Sequence, residues 1–171
     1  MRQQIPGLSR SHSDRLEIDP RGPQFNAALT AVVLAAVLLL APGAVATALL
    51  AGQAALFAVG VGLGVTRTPQ AWLFRHLVQP RLGPPTQRED AAPPRFAQGV
   101  GLAFAVVGVL GFVSGLTWLG LLATGLALAA ALLNAVFGFC LGCEIYLLAA
   151  RASLTPVRPA APASSTARSS A

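Results

Sequence analysis

Residues 96–143 read FAQGVGLAFAVVGVLGFVSGLTWLGLLATGLALAAALLNAVFGFCLGC, with no charged side chain from Phe96 to Cys143. A helix needs only about 20 residues to cross ~30 Å of hydrocarbon at ~1.5 Å per residue. This stretch is more than twice that length, so it crosses twice, and Ser114-Gly115 near its middle marks the reversal. A second uncharged stretch, Gly22 to Thr66, is broken in the same way at Pro42-Gly43. The chain therefore reads as all-α and polytopic, with four transmembrane helices in two hairpins at roughly 26–41, 45–64, 97–113 and 116–139. The first is short enough to sit partly in the interface.

The rest of the composition agrees. With 171 residues, 54% apolar and 11% charged, the chain has too few polar residues to cover such helices in water. The twelve basic residues are all arginine and occupy three places: before the first helix, between residues 65 and 95, and after the fourth helix. The turns at Pro42 and Ser114 carry none. Arginines are retained on the cytoplasmic side, so both termini and the central loop are expected inside. The net charge of +6 then reflects topology and attraction to anionic lipid headgroups, and nucleic acid is not an expected partner. A rival reading, a secretory signal cleaved near Ala44-Val45-Ala46, would leave three helices with the C-terminus still inside.

Residues 1–18 and 152–171 have the composition of disordered cytoplasmic tails flanking a 19–151 membrane domain. Within the 65–95 loop, Pro69 to Val78 predicts a short interfacial helix placing Trp72, Phe74 and Leu77 among headgroups. Pro80-Arg81-Leu82-Gly83-Pro84-Pro85 and Pro93-Pro94 predict an extended strap, locally acidic at Glu89 and Asp90. Asp19-Pro20-Arg21 with Phe25-Asn26 resembles Pro94-Arg95-Phe96-Ala97-Gln98, which suggests two parallel repeats. Packing is expected to rest on small residues, with Gly111 and Gly115 spaced for close backbone approach along the third helix.

The one candidate for chemistry is Phe139-Cys140-Leu141-Gly142-Cys143-Glu144, holding both cysteines of the chain. Two thiols three residues apart can cycle through a disulfide, carry sulfur, bind a soft metal, or simply pack. A permanent bridge is not expected in a reducing cytoplasm. On a continuous helix Cys140 and Cys143 would lie about 60° apart and Glu144 about 40° from Cys140, one shared face. That arrangement sets the thiols at a negative helix end beside a carboxylate, and both effects disfavour a thiolate. The alternative is a break at Gly138 with a new segment starting near Cys140; an unbroken helix to Ala150 would be roughly 52 Å long, too long for the bilayer. For zinc, Cys140 and Cys143 are a weak alternative, since four ligands would require a dimer. No cofactor is implied. Asn26 and Gln98, at the cytoplasmic ends of the first and third helices, and the deeper Asn134 are candidates for a polar vestibule.

The motifs Asp19-Pro20-Arg21-Gly22-Pro23, Pro80 to Pro85, Pro93 to Gln98 and Phe139 to Glu144 together resemble the bacterial membrane family catalogued as domain of unknown function 4395, over about Ile18 to Arg151. The family has no assigned activity. Its members are often encoded beside thioredoxin-like and sulfurtransferase proteins, which implies a thiol pathway in the bacterial plasma membrane. The expectation is thus a thiol redox or sulfur-transfer relay with a thioredoxin-like or rhodanese-like partner, Glu144 shuttling protons. The alternatives are a non-catalytic membrane scaffold and a small homo-oligomeric transporter.

Overall fold

The computed structural model describes residues 17–19, 21–82 and 89–153. In chain order the elements are β1 (Glu17–Ile18), α1 (Arg21–Leu40), α2 (Ala44–Leu63), a 3-10 turn (Val65–Arg67), α3 (Pro69–Leu73), a π-helical turn (Phe74–Val78), α4 (Gln79–Leu82), β2 (Glu89–Asp90), α5 (Ala92–Val113), α6 (Thr117–Phe137) and α7 (Leu141–Ser153). The four helices α1, α2, α5 and α6 are long and apolar enough to cross a membrane. The protein is an all-α membrane protein, and each of its uncharged stretches forms one antiparallel hairpin.

The hairpins close a ring: α1 packs on α2 and α6, and α5 packs on α2 and α6. The Pro42-Gly43 and Ser114-Gly115 turns lie at one end, with Gly115 in the left-handed region at φ 80°. Everything else gathers at the other, the loop end. There Arg95 donates from Nε to the Val61 carbonyl at 2.6 Å and from Nη2 to the Gly62 carbonyl at 3.3 Å. These bonds satisfy carbonyls that the last turn of α2 leaves without intrahelical partners. Arg21 Nη1 donates to the Leu82 carbonyl at 3.3 Å, and β1 pairs antiparallel with β2, Glu17 opposite Asp90.

All four long helices are apolar all round, so hydrophobicity does not choose which face turns inward; size and polarity do. On α2 the buried positions are Ala46, Leu50, Gln53, Phe57 and Gly60, alternately four and three residues apart, the spacing of a left-handed bundle seam. Large side chains such as Leu39 (86% exposed) and Phe137 (75% exposed) point outward, as lipid permits. Trp118 and Trp72 are exposed near opposite ends of the bundle, the level of the two membrane interfaces. The buried Gln53 Nε2 donates to Thr30 Oγ1 at 3.3 Å and joins α2 to α1.

The structure corrects several expectations. The first helix is not short: it starts at Arg21, because Asp19 Oδ1 accepts the Arg21 N–H at 3.0 Å and Pro23 is tolerated in a first turn. The fourth ends at Phe137 instead of Phe139. The prolines expected in a strap are partly helical, since Pro93 and Pro94 occupy the first turn of α5, where a missing N–H costs nothing. Pro80 belongs to α4 after a π-helical turn that already shifts the hydrogen-bond pattern. Residues 83–88 lie outside the described residues, as do 1–16 and 154–171, which hold most of both tails. Phe74 is not among headgroups: it is 4% exposed and packs on Phe25, ring centroids 5.7 Å apart, closing the loop end of the bundle. Gly115 belongs to the turn, so of that pair only Gly111 makes the close approach. A Cβ there would lie 2.6 Å from the Gly120 backbone nitrogen, whereas at Gly125 it would meet nothing within 4 Å.

Gly111→Ala should therefore force α5 and α6 apart and destabilise the bundle by about 1–3 kcal/mol, while Gly125→Ala stays near wild type. Thermal unfolding of the two variants in one detergent checks this, and equal midpoints would show that the α5–α6 contact is not limiting.

Candidate functional site

The site begins with the glycine that stops α6. Gly138 adopts φ 67°, ψ 10°, and its N–H donates to the Asn134 carbonyl at 3.0 Å. A left-handed residue of this kind ends helices, and glycine takes it without a side-chain clash. The chain unwinds through Phe139 and Cys140 and starts again as α7. Cys140 holds the N-cap position: its carbonyl accepts the Glu144 N–H at 3.1 Å and its Sγ accepts the Cys143 N–H at 3.4 Å. Sulfur here does what serine or threonine oxygen does at other helix starts.

This settles the choice posed by the sequence. The helix is broken, so the two cysteines stand at the N-terminal, positive end of α7, and the argument from a negative helix end no longer applies. Cys140 and Cys143 are joined as a disulfide with Cα atoms 5.2 Å apart, and both are partly exposed. Of the common face expected for Cys140, Cys143 and Glu144, the two cysteines meet through their disulfide. Glu144 lies in the first turn of α7 and is exposed.

Two contacts seat α7 against α5. A Cβ on Gly142 would fall 2.7 Å from Ala97 Cβ and 2.8 Å from Ala97 Cα, and the Phe96 and Tyr146 rings lie 5.7 Å apart. Gly142, between the cysteines, is thus the residue that lets the motif lie on the bundle. Its signal was present in the sequence as the glycine inside Cys-Leu-Gly-Cys, but nothing there named Ala97 as its neighbour.

Behind the disulfide is a cavity of about 520 Å³ in the loop half of the bundle. Asn26 from α1, Gln98 from α5, Asn134 from α6 and Cys140 all line it, whereas Cys143 and Glu144 do not. The three amides come from three different helices to one space. The rest of the wall is largely apolar, including Phe57, Phe104, Ala127 and Ala130. Asn26 Oδ1 is buried and has no hydrogen-bond partner among the described residues. The Gln98 carboxamide lies over Gly60, where an added Cβ would come within 3.0–3.1 Å of it. Gln53, in contrast, is committed to Thr30.

Among the described residues, no three His, Cys, Asp or Glu side chains gather as a metal set. His76 stacks on Trp72 with ring centroids 4.5 Å apart, and its Nδ1 lies 2.8 Å from the Trp72 carbonyl. These bonds occupy the ring in a local helical contact.

If Cys140 caps α7, serine should replace it and alanine should not. In a Cys143→Ala background, Cys140→Ser should keep the first turn of α7 protected from hydrogen exchange, and Cys140→Ala should lose about 1 kcal/mol of that protection. Equal protection in the two would show that the sulfur contact does not hold the helix start.

No curated protein and no solved structure matches the chain. A family profile does, over residues 18–151, a span that takes in all four long helices, the loop between the hairpins and the Cys-Leu-Gly-Cys turn. The chain belongs to the family described as Domain of unknown function (DUF4395).

Proposed function

We propose that this protein is a thiol relay of the plasma membrane, in which Cys140 and Cys143 exchange electrons or sulfur with a thioredoxin-like or rhodanese-like protein. The observation that carries this reading is the place of Cys140 at the N-cap of α7, its Sγ bonded to the Cys143 N–H. Reactive Cys-x-x-Cys pairs take their nucleophilicity from a helix N-terminus. A buried structural cysteine needs no such placement, and both of these are partly exposed.

The roles follow from position. In the oxidised protein a thiolate of the partner attacks the Cys140 sulfur; the new S–S bond joins the partner to Cys140, and Cys143 leaves as a thiolate. The partner's second thiol then attacks its own sulfur in the mixed disulfide, which closes the partner's disulfide and releases Cys140 as a thiolate at the N-cap. Glu144, exposed beside Cys143, passes protons between the motif and water.

The arginines support a cytoplasmic loop end. Arg21, Arg67, Arg75, Arg81, Arg95 and Arg151 belong to that end of the bundle, while the two turns at the other carry no charge. Both termini are then cytoplasmic and the motif faces a cytosolic partner. The paired entrance strands, one before α1 and one before α5, support reading the two hairpins as parallel repeats.

Cys143→Ala should trap a mixed disulfide through Cys140 in native membranes on non-reducing gels, and Cys140→Ala should trap far less. The double variant should trap nothing. If neither single variant yields an adduct and the wild-type pair is never found oxidised, the relay is refuted and a packing role for the motif remains.

A further inference from the structure

A disulfide that cycles needs a second redox partner to reset it, and the cavity behind Cys140 fits one class of molecule. We propose, building on the relay reading, that this cavity binds the headgroup of a membrane quinone, which accepts the electrons of the Cys140/Cys143 dithiol.

Four observations point to this substrate. First, Cys140 lines the cavity while Cys143 does not, so Cys140 is the cysteine of the pair that belongs to both the cavity and the motif. Second, a cavity of about 520 Å³ has the size of a small-molecule site and is walled mainly by apolar side chains inside a membrane bundle, which selects a lipid-soluble guest over a soluble nucleotide or peptide. Third, Asn26, Gln98 and Asn134 bring carboxamides from three helices to this apolar space, with Asn26 Oδ1 buried and unpartnered among the described residues. A carboxamide both donates and accepts. It can donate to a quinone carbonyl and accept from the hydroxyl of the quinol that replaces it, without a change of charge in low dielectric. Fourth, Leu126, Leu141 and Ile145 line the cavity and are exposed, which gives it an apolar edge open to the outside of the bundle.

The chemistry balances without another reactant. The dithiol loses two protons and two electrons as its S–H bonds break and the Cys140–Cys143 bond forms. The quinone takes up both, its carbonyl oxygens becoming the hydroxyls of an aromatic quinol. Aromatisation sets the direction, from thiols to quinone. The disulfide so formed is the oxidant for the cytosolic partner, and the quinol leaves along the apolar edge.

The test uses the full chain in nanodiscs. The disulfide is first reduced with dithiothreitol and the excess removed; then decylubiquinone or menadione is added, and quinol formation is followed with the thiol count. The expected result is one quinone reduced for each two thiols lost. Gln98→Leu should slow the reaction about tenfold, as loss of one buried hydrogen bond implies, chiefly by raising the quinone concentration for half-maximal rate. Gly125→Ala, open to space on α6, controls for the effect of substitution in the bundle. A disulfide that dithiothreitol reduces and re-forms by thiol exchange, but whose thiols persist in the presence of either quinone, would overturn the quinone and leave the relay standing. A disulfide that no dithiol can reduce would remove both. Quinone reduction unaffected by Gln98→Leu, even at limiting quinone, would place the reaction outside this cavity and overturn the site.

Discussion

A helix in hydrocarbon has to satisfy its own backbone, so it can stop only where water or protein takes over its free carbonyls. In this chain the fourth span stops at Gly138, and the site depends on how it stops. Had the helix run on, Cys140 and Cys143 would have projected from the electron-rich end of a long rod. The left-handed turn re-aims the chain, starts a second helix and gives its first unsatisfied N–H groups to the motif. One φ angle thus converts an unfavourable electrostatic setting for sulfur into a favourable one, without adding a charged group.

Where α7 goes after the break is set by clearance, not attraction. Gly142 leaves no room for a side chain against Ala97, and Phe96 meets Tyr146 one turn further on. The returning helix therefore covers the loop end of the bundle beside α5. Phe74 closes the same end from another direction, against Phe25. Between these covers lies the space that Asn26, Gln98 and Asn134 line. In a bundle whose outward surface is made of leucine and valine, polar side chains inside are costly unless something answers them. Thr30 answers Gln53, but among the described residues no atom answers Asn26 Oδ1.

Much of the fold was legible because the membrane imposes coarse rules. The absence of charge from Gly22 to Thr66 and from Phe96 to Cys143 gave the number of spans, and Pro42-Gly43 and Ser114-Gly115 gave the turns. The beginnings of helices were less visible: α1 and α5 start about five residues before the apolar signal, because an aspartate cap and first-turn prolines permit a helix that hydropathy does not mark. Inward faces were illegible, since helices apolar all round show no amphipathic stripe. Phe74 was misread for a related reason, as a bulky apolar residue in an arginine-rich loop suits the interface and the core equally. At the site, Asn26, Gln98 and Asn134 were recognisable as amides at cost, and the structure does bring them to one cavity with Cys140. Glu144 does not line that cavity, and the break at Gly138 was one of two outcomes between which the sequence offered no means to choose.

The end of the bundle opposite the motif is built from almost nothing: Ala41-Pro42-Gly43 on one side and Ser114-Gly115-Leu116 on the other. Its consequence concerns biogenesis. Moving an arginine or an aspartate through the bilayer centre costs about 2.5–3.5 kcal/mol on insertion scales, and here no such residue has to travel. Each hairpin can slide into lipid as a preformed pair, tip first, with no ionised side chain in its turn to carry across.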